Sequence, residues 1–192
     1  AILAGIGYDV IGTVEMLYTP ATGFTFLEVN TRLQVEHAVT EEVTGVDIVA
    51  AQIRLAAGEP LAAVLPASVS CNGHAVEARI YAEDPMRFFP SPGELAVFAP
   101  PAGEGIRVET GYAAGTGGDT IGVHYDPMLA KVIAHGADRA EAVARLAGAL
   151  ERFRVEGVKT NIPYVLRVLR DPAFADGQLH TQLGAAIASR PL

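Results

Sequence analysis

The stretch FLEVNTRLQVE, residues 26–36, alternates polar and apolar side chains almost without a break. Successive side chains of an extended chain point to opposite faces, so from Glu28 onwards one face of this stretch would carry only polar groups. Such alternation ordinarily predicts a half-buried strand with a solvated face. Because Asn and Glu are poor strand formers, and a merely solvated face would favour Thr, Lys or Ser, the composition favours a functional row. The polar members are Glu28, Asn30, Arg32, Gln34 and Glu36.

The overall composition narrows the class of protein. The chain has 192 residues, 50% of them hydrophobic, which suffices for one large or two small domains with a buried core. The formal net charge is -8, and Lys131 and Lys159 are the only lysines. The sequence contains no basic stripe or patch, so neither nucleic acid nor an anionic membrane is expected as a partner.

Cysteine content and hydropathy indicate the compartment. Cys71 is the single cysteine, which excludes an internal disulfide and favours a reducing compartment. No segment of the sequence has the pattern of a signal peptide or a membrane span, so a cytoplasmic location is expected. The first residues, AILAGIGYDVIGTVEM, run from apolar helix-like sequence directly into a strand without an initiator Met or a capping box. This beginning predicts a piece of a longer chain.

Turn residues and periodicity predict the first elements. Two strands, about 10–18 and 24–30, are separated by TPATG, whose Pro and Gly suit a hairpin loop. A pairing of Tyr18 with Thr25 would place Glu15 opposite Glu28. Like charges facing each other destabilise a ladder unless a cation lies between them. Either the pairing is wrong, or the two glutamates splay apart into solvent, or they mark a metal site.

The sequence changes character beyond these elements. A buried helix is predicted from Asp47 to about residue 57, and the Pro/Ala/Ser-rich stretch 61–72 is the expected linker between domains 1–60 and 73–192. In the second domain, short strands precede two helices, which suggests an α+β fold with an antiparallel sheet. The predicted elements there are strands at 73–82, 94–98, 106–109 and 128–135, a helix at 138–153, and a last helix from Pro163 to before Asp171.

Several stretches resemble the biotin carboxylases, ATP-grasp enzymes that carboxylate biotin in acetyl-CoA, propionyl-CoA, pyruvate and urea carboxylases. They occur in the family's order: FLEVNTRLQVEH, TEEVTG, AAGEPL, GHAVEARIYAEDP at 73–85, FPSPGEL at 89–95, YDPMLAKVIAHG at 125–136 and EGVKTNIPYVL at 156–166. The resemblance implies the end of an ATP-grasp domain followed by a biotin carboxylase C-terminal domain. The family's Gly-rich phosphate loop and phosphate-binding lysines have no counterpart in this sequence, so the isolated chain is expected to be inert.

The resemblance implies roles for the polar row. Glu15, Glu28 and Asn30 match the ligands of the family's Mg²⁺ or Mn²⁺ ions, which suits the preference of Mg²⁺ for hard oxygen ligands. Arg32, Gln34 and the backbone of Val35 would bind bicarbonate, since a guanidinium grips a small planar anion through two parallel hydrogen bonds. Glu36 would act as the general base that takes the bicarbonate proton, so that carboxyphosphate forms from ATP. His37 is expected to be structural.

Further positions are implied for biotin and the nucleotide. Arg79 matches the arginine that stabilises the enolate-like form of biotin, with Asp126 as its partner, whereas the alternative is a surface salt bridge from Arg79 to Glu77 or Glu83. The adenine pocket would be lined by Val158, Leu17 and Leu27. On composition alone, Leu17 and Leu27 are instead expected to be core residues.

The resemblance also implies partners, namely a biotin carboxyl carrier domain or protein and a carboxyltransferase subunit. Arg107 matches a residue of the family's dimer interface, but Glu104 replaces the usual aromatic residue three positions earlier, so a homodimer is only one alternative. GHAVEARIYAEDP and FPSPGEL favour an acyl-CoA carboxylase, whereas DIVAAQIRLAAG and FRVEGVKTNIPYVL favour pyruvate carboxylase. A hypothesis of another class is a binding or assembly module that has kept the fold without catalysis.

Overall fold

The computed structural model describes residues 5–8, 11–116 and 118–190. Contacts between residues divide the chain into two compact units, 1–71 and 72–192. Both combine helices with antiparallel strands, so the predicted α+β class is confirmed. In the described ranges no helix has the length and apolarity needed to cross a membrane.

The first unit opens with the predicted hairpin. Its elements are β1 (Thr13–Thr19), β2 (Gly23–Asn30), α1 (His37–Thr44), α2 (Ile48–Ala56) and α3 (Leu61–Val64), which lies within the predicted linker. The extended chain therefore stops at Asn30 instead of continuing to Glu36. The prediction that all five polar groups share one strand face is wrong, because the chain must turn to begin α1 at His37.

Side-chain hydrogen bonds fix the helices of the first unit. The Asp47 carboxylate accepts the Ala50 N–H at 2.7 Å as the N-cap of α2. The buried Glu41 carboxylate, from α1, accepts the Ile48 N–H at 2.7 Å. Among the described residues of this unit, Ala38 and Ala51 are the only buried apolar side chains. Hydrogen bonds of the Glu41 and Asp47 carboxylates therefore help to hold α1 and α2 in place.

The described part of the second unit contains three antiparallel sheets. They are ordered β3-β9-β6, β10-β5-β7 and β4-β8, and the predicted strand 94–98 is divided between β4 and β5. The elements are β3 (His74–Tyr81), β4 (Gly93–Glu94), β5 (Val97–Ala99), β6 (Ile106–Thr110), β7 (Gly115–Thr116), β8 (Thr120–Ile121), β9 (Met128–Gly136), α4 (Arg139–Arg152), β10 (Arg154–Glu156), α5 (Ile162–Leu169), α6 (Pro172–Ala175) and α7 (Leu183–Ala188).

The core of the second unit lies between its central sheet and α4. Ile80 of β3 and Val132 of β9 are fully buried with Leu146 and Leu150 of α4. Burying each side chain of this size stabilises the fold by about 1.5–3 kcal/mol. The predicted N-cap of α4 is confirmed, since the Asp138 carboxylate accepts the Glu141 N–H at 2.9 Å.

Candidate active site

The hairpin brings Glu15 and Glu28 directly opposite each other, as predicted. The strand register near the loop differs from the prediction, because Tyr18 pairs with Phe24 and Thr25 pairs with Leu17. Thr19 pairs with Gly23, so the loop is shorter than expected, and an extra residue, Leu27, then shifts the register before Glu28. A β-bulge of this kind re-aims side chains at the end of a ladder. Here it restores the register that sets the two carboxylates face to face.

An amide nitrogen lies between the two carboxylates. The Asn30 Nδ2 donates to Glu15 Oε1 at 2.6 Å and to Glu28 Oε1 at 3.1 Å. Carboxylate oxygens from two strands therefore converge on the Asn30 side-chain amide. Two carboxylates and an amide are the hard ligands that Mg²⁺ takes, so the residues fit a divalent cation.

The loop after β2 extends this network towards α1. The Gln34 Nε2 donates to Glu15 Oε1 at 2.8 Å, and the Arg32 Nη1 donates to Gln34 Oε1 at 2.9 Å. Arg32, Gln34 and Glu36 also line a cavity of about 690 Å³ in the first unit. The polar row therefore comes together through a loop and a hydrogen-bonded chain, although it does not form a single strand.

Three neighbouring residues complete the description of this loop. Glu36 is exposed and occupies the N-cap position of α1, at the rim of the cavity. The His37 Nδ1 lies 2.7 Å from the carbonyl oxygen of Gln34, a contact that suits the structural role predicted for it. Val35 is half-buried within the loop.

Arg79 lies on β3 of the second unit, with Lys131 of β9 as its cross-strand partner. Its Nε is 3.5 Å from Glu77 Oε1, with the Arg79 side chain 38% exposed and the Glu77 side chain only 6% exposed, so the pair is not the surface salt bridge of the alternative, and the biotin role of Arg79 stays a prediction. The Asp126 carboxylate accepts the Met128 N–H at 2.8 Å. The contact of Asp126 with Arg79 stays a prediction.

Burial and then the charge of Asp126 raise the pKa of Glu83.

The residues predicted for the adenine pocket differ in exposure. Leu17 is 57% exposed and Leu27 is 52% exposed, so the alternative that they are core residues is wrong. They lie on a hairpin without enough surrounding chain to bury them. Val158 is half-buried and follows Gly157, whose φ is +102°. A Cβ at Gly157 would lie 2.0 Å from the Glu94 carbonyl oxygen, so only glycine fits there.

Sequence reasoning missed a charged network on the central sheet. Glu109 of β6 forms ion pairs with both Arg107 and the buried Lys131, its cross-strand neighbour. Burial acts to raise the pKa of the Glu109 carboxyl, but Lys131 and Arg107 outweigh it and hold the pKa below its usual value. The alternation of β6 and β9 could have placed Glu109 and Lys131 on one face. Arg107, predicted for a dimer interface, takes part in this network, and Glu104 is exposed before β6.

Comparisons with known proteins agree with this arrangement. A family model described as the biotin carboxylase C-terminal domain matches residues 77–184. The chain belongs to the biotin carboxylase family. A second model, the carbamoyl-phosphate synthase L chain ATP binding domain, matches residues 1–64. The resemblance read from the sequence is therefore confirmed.

Two relatives of known name support the same family. Biotin carboxylase 2 of Bacillus subtilis is 47% identical over 92% of this chain and 39% of its own length. Pyruvate carboxylase 1 of Caenorhabditis elegans is 44% identical over 92% of this chain and 15% of its own length. The chain thus spans about two fifths of the length of that biotin carboxylase.

Two solved biotin carboxylase structures superpose well on the chain. The Campylobacter jejuni enzyme in an ATP-type complex has a TM-score of 0.86 and 36% identity, covering 96% of this chain and 40% of that one. The biotin carboxylase domain of Hydrogenobacter thermophilus 2-oxoglutarate carboxylase, solved with MgADP, ADP and bicarbonate, has a TM-score of 0.87 and 40% identity, covering 99% and 42%.

Proposed function

We propose that this chain works within an ATP-dependent biotin carboxylase that joins bicarbonate to biotin on a carrier domain. The observation that carries the proposal is the hydrogen-bonded set of Glu15, Glu28, Asn30, Gln34 and Arg32. Two carboxylates, two amides and a guanidinium within one chain of contacts suit a divalent cation beside a small anion. A merely solvated hairpin would not require this combination.

Glu15, Glu28 and Asn30 would hold Mg²⁺ or Mn²⁺, which neutralises charge on the ATP phosphates when bound. Arg32, Gln34 and the Val35 backbone would bind bicarbonate. Glu36 then takes the bicarbonate proton, and the freed oxygen attacks the γ-phosphorus of ATP. The bond to the β-γ bridging oxygen breaks, and ADP and carboxyphosphate are the products. Glu36 suits this role because it is exposed at the rim of the cavity that Arg32 and Gln34 also line.

Carboxyl transfer requires a second charged group. Carboxyphosphate would break down to CO₂ and phosphate, the released phosphate would take the ureido proton of biotin, and the ureido nitrogen would then attack CO₂. Arg79 would stabilise the negative charge that develops on the ureido oxygen, with Asp126 as its partner. Its partly exposed guanidinium on a well-packed strand suits a fixed cation of this kind. Leu17, Leu27 and Val158 would contact the adenine ring.

The same reading assigns a biotin carrier and a carboxyltransferase as partners, with an acyl-CoA such as acetyl-CoA as the final acceptor. The relatives include both biotin carboxylases and pyruvate carboxylases at similar identity, and pyruvate is the alternative acceptor. The proposed site residues serve both, because each acceptor receives the carboxyl group from the same carboxybiotin. Assay of the full-length protein with each carboxyltransferase separates the two.

Arg79→Gln in the full-length protein tests the proposal directly. The charge of Arg79 is needed only once biotin ionises, so biotin carboxylation should fall much more than bicarbonate-dependent ATP cleavage. Arg154→Gln is the matched control, because Arg154 is an exposed arginine of the same unit paired with Glu156. Equal losses in both assays for Arg79→Gln would show that Arg79 is structural.

A further inference from the structure

Asn161 closes the free edge of β3 next to Arg79. Its backbone N–H donates to the Tyr81 carbonyl at 3.1 Å, and its side-chain Oδ1 accepts the Tyr81 N–H at 2.9 Å. Its Nδ2 donates to the Arg79 carbonyl at 3.0 Å. β3 is an edge strand of its sheet, so this single residue stands where a further strand would otherwise pair.

The position of these bonds along β3 matters. The pairing of β3 with β9 is regular from His74 to Ile80 and then shifts, so that Tyr81 pairs with Met128. The ladder therefore becomes irregular between Ile80 and Tyr81, one residue beyond Arg79. Asn161 binds the backbone on both sides of that irregularity, at Arg79 and at Tyr81. It thus helps to fix the backbone direction from which the Arg79 side chain leaves the strand.

Asn161 is well suited to this task. It is only 6% exposed, and both polar groups of its side chain are used on β3. Loss of one partner would leave a buried polar group unsatisfied, which is more costly than losing an exposed hydrogen bond. Because the Arg79 side chain is partly exposed, its packing and its ion pair with Glu77 restrain it only in part, and the direction of the strand backbone also sets its orientation.

The segment that carries Asn161 is itself held firmly. The Lys159 N–H donates to Ser91 Oγ at 3.0 Å, and the Lys159 Nζ donates to Asp84 Oδ2 at 2.7 Å. Gly157, at the start of the segment, packs too closely on the Glu94 backbone for any side chain. A functional group is placed accurately only when its supporting residues are themselves locked.

We propose that Asn161 is a positioning residue for Arg79, acting through the backbone of Arg79 and Tyr81. This inference rests on the proposed function, in which Arg79 meets biotin. Asn161 also belongs to the short segment that carries Val158, the proposed adenine contact. One rigid segment therefore ties the biotin arginine to a nucleotide-binding side chain within the second unit.

The test is Asn161→Asp in the full-length protein. Aspartate can still accept the Tyr81 N–H, but it presents an oxygen to the Arg79 carbonyl in place of the donor. Biotin carboxylation should fall on the order of 10-fold, as for other residues that orient a functional side chain, while bicarbonate-dependent ATP cleavage stays within about twofold. Hydrogen exchange of the peptide containing Tyr81 should quicken in the same variant.

Asp171→Asn is the matched control. Asp171 is also buried, at 7% exposure, and its carboxylate accepts the Ala173 N–H at 2.9 Å and pairs with Arg190, away from β3. It should lower thermal stability without changing the ratio of the two activities. Asn161→Ser, which shortens the side chain without adding charge, gives a second variant if Asn161→Asp fails to fold. Asn161→Ser should also lower the ratio of biotin carboxylation to bicarbonate-dependent ATP cleavage.

The outcomes separate the two proposals. If the wild-type protein carboxylates biotin and the Asn161 variants lower both activities equally, Asn161 is merely structural and the inference is wrong, while the proposed function stands. If the wild-type protein shows no bicarbonate-dependent ATP cleavage, the proposed function fails and the inference with it. A lowered ratio together with faster exchange at Tyr81 supports both.

Discussion

The two units hold their functional residues by different means. In the first unit, hydrogen bonds among Glu15, Asn30 and Gln34 set the site on a hairpin whose two strands are largely exposed. In the second unit, Arg79 projects from a sheet that packs against α4 over a buried core. The geometry of the first site therefore depends on which groups carry charge, whereas that of the second depends on packing and on the strand backbone.

The largest effect expected from this difference is on the rate of ATP cleavage and comes from a residue of the first unit, Glu36. Glu36→Gln keeps the size and reach of the side chain but cannot accept a proton. In the full-length protein, bicarbonate-dependent ATP cleavage should fall by about 10²–10⁴-fold, the usual contribution of a general base, with nearly unchanged ATP affinity and an intact fold. Steady-state kinetics and calorimetric ATP titration measure the two quantities.

Glu59→Gln is the control for this substitution, because Glu59 is an exposed glutamate of the same unit that pairs with Arg54. It should leave ATP cleavage unchanged. If Glu36→Gln weakens ATP binding with little loss of turnover, Glu36 belongs with the cation ligands Glu28 and Asn30. The division of roles along the polar row would then be wrong.

The next largest effect is on the free energy of unfolding, which should respond to a packed side chain of the second unit but not to an exposed one of the first. Leu146→Ala removes a fully buried side chain from α4 and should lower the free energy of unfolding by about 2–5 kcal/mol. Leu17→Ala removes a largely exposed side chain from β1 and should change the free energy of unfolding by no more than about 0.5 kcal/mol. Urea unfolding of the 192-residue chain measures both. A comparable loss in both variants would show that the hairpin is packed as tightly as the sheet.

A smaller effect is expected where a cation ligand becomes neutral. Glu15→Gln keeps an oxygen for the Asn30 and Gln34 amides but removes a negative charge from the site. The Mg²⁺ concentration needed for half-maximal ATP cleavage should rise on the order of 10-fold, by analogy with the loss of outer contacts at metal sites. Glu94→Gln, an exposed glutamate of β4, is the control. An unchanged Mg²⁺ requirement would remove Glu15 from the ligand set.

Sequence reasoning recovered the parts that depend on local patterns. The cap and apolar face of α4 and the pairing of Glu15 with Glu28 are set by residues a few positions apart or by one hairpin. It erred where longer context decides. The strand ends at Asn30 because α1 begins soon after it, and Leu17 and Leu27 are exposed because the described chain places little around them.

The role of Asn161 could not be predicted from local sequence. Its partners, Arg79 and Tyr81, lie 82 and 80 residues earlier in the chain, and nothing in EGVKTN indicates a bond to a distant strand edge. Only the fold brings them together. The polar row of the first unit, by contrast, is visible because its members are nearly consecutive.

The smallest expected effect is electrostatic and lies in the second unit. The Lys159 ammonium, followed by the Met86 and Arg87 N–H groups, lowers the pKa of Asp84 well below its usual value. A carboxyl group with a depressed folded-state pKa contributes stability above its unfolded pKa, about 4, and loses it as the pH falls further. Thermal unfolding of wild type and Asp84→Asn should therefore differ at pH 7, and the difference should shrink below about pH 4.

Glu83, the preceding residue, should behave in the opposite sense. Burial, and then the charge of Asp126, raise the pKa of Glu83, so its contribution is present below its unfolded pKa and is lost as the pH rises through the folded one. Glu83→Gln should consequently melt no lower than wild type at pH 7, whereas Asp84→Asn should melt lower. If both variants melted equally far below wild type at pH 7, the ion pair of Asp84 with Lys159 would not contribute more to stability than the side chain of Glu83 does. The opposite pKa shifts of the two carboxyl groups would then not control the stability of this unit.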